Sequence, residues 1–164
     1  MRSVSDDCIA SLIDSEDVSL TPYRDQAGLL TIGVGHLLTK HELSTGVISI
    51  GGEYVKYSDG ITPDQAINLL RQDIEIFSNA VDDLVIVIVN QHEFDALVHF
   101  TFNVGINALK HSTLLRKLNN GQFVDVPEEM MRWVHITENG NKIVSDGLLN
   151  RRKKEGAMFV DGKY

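Results

Sequence analysis

The sequence predicts an α+β fold, mostly helical: a small β-containing lobe, a long connecting helix and an all-helical C-terminal lobe. Three observations predict it. Two short runs of β-branched and aromatic residues, Val47–Ile50 and Glu53–Tyr57, face each other across Gly51-Gly52, a two-residue turn signal. Apolar residues from Ala66 to Leu84 keep helical spacing over about five or six turns. Beyond Leu84 the helical patterns come in short, separately capped pieces. A length of 164 residues suits one domain, or two lobes sharing a core. A chain of that size buries roughly 70% of its unfolded surface and needs no metal or disulfide staple. The β-containing lobe is expected over about 15–61, the connecting helix over 62–84 and the helical lobe over 85–164, with the N-terminal helix packed on the last.

Taken in order, Cys8, Ile9, Leu12 and Ile13 mark one face of a short helix opened by Ser5 or Asp6. That pattern fails near Ser15, so Glu16 falls at or just past the helix end. Thr21-Pro22 forces extended or turn geometry. Leu29 to His36 reads as the first strand, and the Gly51-Gly52 hairpin follows. Thr62-Pro63-Asp64-Gln65 is a capping box with Pro at the first helical position. Asn90 can cap a helix carrying Phe94, Leu97, Val98 and Thr101, and Ser112 another reaching Asn119. Pro127–Trp133 and Ser145–Val160 are the last two helices. The run Val85–Val89 is ambiguous between strand and buried helix end.

Composition narrows the function classes. A net charge of -8 argues against a simple nucleic-acid binder. The charge is unevenly spread: residues 1–109 hold 5 Lys/Arg against 16 Asp/Glu, while residues 110–164 hold 10 against 7. The single cysteine, Cys8, cannot form an intrachain disulfide, and a buried thiol on a helix face is expected. The stretch Met1–Asp7 lacks the apolar run of a signal peptide or anchor. The longest apolar run, Leu84–Val89, is far short of the ~20 residues of a spanning helix. A chain made in the cytoplasm is expected. Six His contain no His-Glu-x-x-His, and His92 and His99 have no evident third ligand, so no metal is expected. Gly33-Val34-Gly35-His36 lacks the third Gly and the helix of a dinucleotide fingerprint; a tight β-bend accounts for its glycines.

Chemistry could gather in the first third of the chain. Glu16 ends an amphipathic helix, Asp25 lies in a turn marked by Pro22 and Gly28, and Thr31 lies in a strand. Glycoside hydrolysis needs one protonated carboxyl for the leaving oxygen and a second carboxylate to attack or to hold a water. Of the two, Glu16 suits the drier, protonated role, because burial raises a carboxyl pKa. The Thr31 hydroxyl could fix a water against Asp25. Spacing alone leaves these acids indistinguishable from surface charge in an acidic chain.

The surrounding residues add to this. Glu16-Asp17-Val18, Pro22-Tyr23-Arg24-Asp25 and Gly28-Leu29-Leu30-Thr31-Ile32-Gly33-Val34-Gly35-His36-Leu37-Leu38-Thr39 closely resemble the bacteriophage lysozymes (endolysins) of glycoside hydrolase family 24. The similarity continues through Gln91, Ala96-Leu97, Phe100–Gly105, Ser112–Asn119, Trp133-Val134 and Gly147–Glu155, in family order. The resemblance implies a lysozyme-like two-lobed fold and a muramidase. Such an enzyme cleaves the β-1,4 bond between N-acetylmuramic acid and N-acetylglucosamine, without a cofactor. It implies that Glu16 is the general acid and that Asp25 and Thr31 position the attacking water, with inversion. It also implies that Arg151 pairs with Glu16, that His36 and Asp73 fasten the β-lobe to the long helix, and that Leu37, Phe102 and Asn103 line the substrate cleft. Peptidoglycan strands are the expected partner of a monomer, and a holin pore would release the enzyme to the wall without direct contact.

Blander readings stand beside these. Trp133 and the aromatics at 94, 100 and 102 fit core packing, with Phe102 the best candidate for a second, sugar-facing role. Arg151–Lys154 reads by composition as a solvated helix face, part of which could meet the anionic envelope. A lytic transglycosylase acting on the same bond, or an inactive wall-binding module, are the competing functions. The intact Glu16, Asp25 and Thr31 favour hydrolysis.

Overall fold

The computed structural model describes residues 2–164 apart from residue 26. Its contacts divide into two units, Ile9–Ile76 and, separately, the chain up to Cys8 together with Phe77–Tyr164. Two helices, α1 (Asp6–Ser15) and α3 (Pro63–Leu84), run across the division.

In the unit Ile9–Ile76, α1 ends at Ser15 as the apolar pattern requires, and Glu16 follows it. Strand β1 (Val18–Arg24) pairs antiparallel with β2 (Leu30–Val34), which pairs with β3 (His36–Leu37). Thr31 therefore sits on the second strand rather than the first. Thr21-Pro22 is extended and lies inside β1, and the register shifts between Ser19 and Tyr23. Proline is tolerated there because β1 is an edge strand. Helix α2 (Lys40–Thr45) is absent from the sequence expectation. Its signal was a capping box, with Thr39 Oγ1 accepting from the Glu42 amide and Glu42 Oε2 from the Thr39 amide at 2.7 Å. Strands β4 (Val47–Ile50) and β5 (Glu53–Lys56) form the expected hairpin, with Gly51 and Gly52 both at positive φ. Ile32, Ile48, Ile50, Ile61, Ala66 and Leu69 share the core of this unit. The last two come from α3, whose start is the expected Thr62–Gln65 box.

The other unit is built on α4 (Gln91–Val104), α5 (Ile106–Lys110), α6 (Thr113–Asn119), α7 (Val126–Met130) and α8 (Asp146–Asp161). Asn90, Ser112 and Ser145 cap α4, α6 and α8 through their side chains. Helices α4 and α7 both pack on α8. Phe94 and Phe100 are fully enclosed, and Phe100 meets Trp133 edge-on at 5.8 Å, which is the core role the spacing suggested. Asp95, buried on α4, accepts from the Ser5 hydroxyl and the Tyr164 phenol, each at 2.6 Å, and so ties both chain ends to this unit. Burial and the Asp95 hydrogen bond push the Tyr164 phenol up to about 12. Cys8 is fully buried, and burial, with the charges of Asp95 and Glu155, pushes its thiol up.

Three expectations need correction here. The ambiguous run Val85–Val89 is neither strand nor buried helix end: α3 stops at Leu84, and Ile86 and Ile88 are exposed. Asn119 stands in for the missing helix, accepting from the Ile86 amide and donating to the Leu84 carbonyl. The helix expected over Pro127–Trp133 is shorter, ending at Met130. This unit is also not all-helical, because β6 (His135–Glu138) and β7 (Asn141–Val144) form a hairpin. Its signal was Asn139-Gly140, the residue pair that a two-residue turn with two positive φ values prefers; here φ is 49° and 80°.

Candidate active site

Six of the nine singled-out residues fall in the unit Ile9–Ile76: Glu16, Asp25, Thr31, His36, Leu37 and Asp73. Phe102, Asn103 and Arg151 belong to the other unit.

Glu16 is half-buried at the end of α1. A Cβ added at Gly35 would lie 3.9 Å from Glu16 Oε2, so this carboxylate sits close to the bend between β2 and β3. Gly35 has φ +73°, a conformation side chains disfavour, so the bend needs glycine for its backbone. Asp25 opens the β1–β2 turn. Its Oδ1 accepts from the amides of Ala27 (2.9 Å) and Leu29 (2.8 Å), and its own amide donates to the Leu29 carbonyl. The Asp25 carboxylate is thus held by the loop that carries it.

Thr31 is buried, and its hydroxyl donates to the Leu29 carbonyl at 3.2 Å. It lies directly across from Tyr23 on β1 and from Leu37 on β3. Tyr23 stands on the same sheet, a residue sequence reasoning did not single out. Burial, followed by the charges of Asp17, Asp25 and Glu16, holds its phenol above its ordinary value.

His36 reaches Asp73 of α3, its Nδ1 standing 2.9 Å from Oδ2 and 3.1 Å from Oδ1. Its Nε2 faces Glu42 Oε2 at 3.2 Å, a second carboxylate that the sequence did not single out. Burial works against the charged ring, but Asp73 and Glu42 outweigh it, and the His36 pKa rises above 6.5. Glu42 is pulled below 4.5: burial opposes this, but hydrogen bonds from Thr39 and the His36 charge prevail. Leu37, beside this cluster, is 48% exposed, an available apolar surface rather than a core residue.

In the other unit, Phe102 is half-buried and meets Phe77 edge-on at 5.1 Å. Asn103 is exposed, and its Oδ1 accepts from Arg152 Nη2 at 2.8 Å. Arg152 overturns the reading of Arg151–Lys154 as a uniformly solvated face. It is fully buried, its guanidinium over the Phe100 ring at 4.9 Å and in an ion pair with Glu155. Arg151 Nε lies 3.4 Å from Glu155 Oε1, while Lys153 is exposed. His99 and His92 are structural: His99 Nδ1 faces Glu155 Oε1 at 2.8 Å, and His92 Nδ1 faces the Met158 and Phe159 carbonyls. Among the described residues no group of His, Cys, Asp and Glu could hold a metal ion, and no helix is long and apolar enough to cross a membrane.

Comparison with known proteins extends this geometry. Residues 14–155 match the family model described as phage lysozyme. The endolysin of Salmonella phage P22 is 32% identical over 160 residues, covering 98% of this chain and 99% of that protein. The endolysin of Bacillus phage B103 is 38% identical over 133 residues, which are 81% of this chain; the chain spans 44% of that relative's length. Among solved structures, an endolysin from Escherichia coli O157:H7 phage FAHEc1 superposes with a TM-score of 0.82 at 36% identity, covering 99% of this chain and 96% of that one.

Proposed function

The chain belongs to the phage lysozyme family of glycoside hydrolases, and from that premise we propose that it is a muramidase. It hydrolyses the β-1,4 bond between N-acetylmuramic acid and N-acetylglucosamine in peptidoglycan and so lyses the host cell. Glu16 is the general acid: it donates its proton to the glycosidic oxygen as the bond to the anomeric carbon breaks. Asp25 and Thr31 hold the attacking water, whose oxygen bonds to that carbon while its proton passes to Asp25.

The observation that carries this reading is that β2, which bears Thr31, runs from the turn whose amides hold Asp25 to the Gly35 bend beside Glu16. Loop amides fix the Asp25 carboxylate, and Glu16 Oε2 stands close to the Gly35 bend. Preorganised groups of this kind lower the barrier because little reorganisation remains for the reacting state. The family resemblance extends the proposal to Leu37, Phe102 and Asn103 as glycan contacts and to Arg151 as a supporting residue, and the His36–Asp73 pair positions the strand that follows the bend. The enzyme acts as a monomer, made in the host cytoplasm and reaching the wall through a membrane lesion such as a holin pore.

The test is turbidity loss of outer-membrane-stripped cells, comparing the native protein with Glu16→Gln. The substitution keeps the shape and removes the acid, and the rate should fall about 100-fold or more. An inactive native protein, or a fully active variant, would overturn the assignment. Muropeptides ending in an anhydro sugar would replace hydrolysis with transglycosylation.

A further inference from the structure

Arg24 closes the loop that carries Asp25. It is the last residue of β1 and pairs with Leu30, the first of β2, so the chain from Asp25 to Leu29 makes the connection. The Arg24 side chain is exposed, yet its Nη1 donates to the Gly28 carbonyl at 2.7 Å. That distance is at the short end for an N–H donor, as suits a charged one. Among the described residues Arg24 forms no ion pair, so its cation is not spent on a carboxylate.

The acceptor decides what this contact does. The Gly28 carbonyl and the Leu29 amide belong to one peptide group, planar and trans. Its C=O and N–H point in opposite directions, so fixing one aims the other. Arg24 holds the oxygen end, and at the other end the Leu29 N–H donates to Asp25 Oδ1 at 2.8 Å. Gly28 has φ +79°, a left-handed conformation that the lack of a side chain permits. Its own amide donates to the Asp25 carbonyl at 2.9 Å, which anchors the preceding peptide as well. A cation at the carbonyl oxygen also polarises the peptide group, and this strengthens the N–H as a donor to the carboxylate.

The Asp25 carboxylate is left with two unlike oxygens. Oδ1 takes the Ala27 and Leu29 amides at 2.9 and 2.8 Å. Among the described residues Oδ2 accepts no hydrogen bond. With Oδ1 pinned by the loop, the direction of Oδ2 is set too. Arg24, which bonds to neither oxygen, acts on that direction through one peptide group.

We infer that Arg24 is a positioning residue for the proposed hydrolysis: through the Gly28–Leu29 peptide it holds Asp25 so that Oδ2 meets the attacking water. The inference rests on the muramidase reading, in which the water's proton passes to Asp25. Oδ2 receives that proton, while no bond at Arg24 changes. A group held in place before the reaction raises kcat without tightening substrate binding.

Hydrogen exchange followed by NMR reads the clamp independently of activity. In Arg24→Met, which keeps much of the stem and removes the donor, the Leu29 amide should exchange about 5- to 10-fold faster, while amides of the β4–β5 hairpin keep their rates. Arg24→Lys retains a charged donor and should restore most of the protection. Kinetics on solubilised peptidoglycan strands should show kcat about 5- to 10-fold lower in Arg24→Met with KM within about twofold, and recovery to within about threefold of native in Arg24→Lys. Unchanged Leu29 exchange in Arg24→Met would overturn the inference. So would faster exchange at native kcat, or a raised KM at native kcat, which would make Arg24 a substrate contact. Asp25→Asn separates the inference from its premise. A native rate in Asp25→Asn would refute the assignment of Asp25, whereas a near-inactive Asp25→Asn beside a fully active Arg24→Met would refute the role of Arg24 alone.

Discussion

Replacing Glu155 by Gln should destabilise the fold more than any comparable surface change, because it strands a buried cation. Arg152, Glu155 and His99 are each 0% exposed. Glu155 Oε1 takes His99 Nδ1 at 2.8 Å and Arg152 Nη2 at 2.9 Å. Its Oε2 stands 2.6 Å from Arg152 Nε, a charge contact outside hydrogen-bond alignment. Burial lowers the Arg152 pKa, and the Glu155 charge opposes that shift. Glutamine keeps the volume and one acceptor but removes the charge, and it can turn an N–H toward Arg152 Nε. Breaking a buried pair from one side costs about 3–5 kcal/mol. For a chain of this size about 4 kcal/mol corresponds to roughly 8–16 °C in Tm. Thermal unfolding followed by circular dichroism at neutral pH measures it. A second variant, Arg152→Met with Glu155→Gln, should recover part of the loss, because the orphaned charge is then gone. A drop below about 1 kcal/mol in the single variant, or no recovery in the double one, would refute the reasoning.

Two further outcomes follow from the other unit. The raised His36 pKa means its ion pair contributes fully below pH 6.5 and is lost as pH rises through the raised value, whereas the lowered Glu42 pKa contributes above pH 4.5 and is lost as pH falls through the lowered one. Urea unfolding should therefore show greatest stability from this cluster between those pH values, and Asp73→Asn should flatten the alkaline side of the profile; an unchanged slope would sink the assignment. Gly60→Ala should cost about 1–3 kcal/mol by the same assay, from strain at a left-handed position. There φ is +84° and the new Cβ would approach the Leu20 carbonyl to 3.1 Å; a neutral substitution would show that the β1 contact gives way.

Much of the secondary structure was legible because its signals are local. The Thr62–Gln65 box, the Asn90, Ser112 and Ser145 caps and the Gly51-Gly52 turn each act within a few residues of their own position. The Thr39–Glu42 box and Asn139-Gly140 carried equally local signals for α2 and for the β6–β7 hairpin, and went unread. The sequence placed Glu16 at a helix end, Asp25 in a turn and Thr31 in a strand, while the family resemblance supplied their roles and singled out His36 and Asp73.

Tertiary structure alone decided the rest. Arg151, Arg152, Lys153 and Lys154 are four consecutive cations, chemically near-equivalent in the sequence. Only Arg152 is fully buried, because Glu155 from its own helix, Asn103 and Phe100 from α4 and the Trp133 carbonyl converge on it. Glu42 became a partner of His36 in the same way. A helix period or a turn signature states which face a residue occupies. Whether that face meets water, a ring or a counter-charge depends on segments distant in the chain, and those contacts set the burial and the pKa shifts on which the chemistry depends.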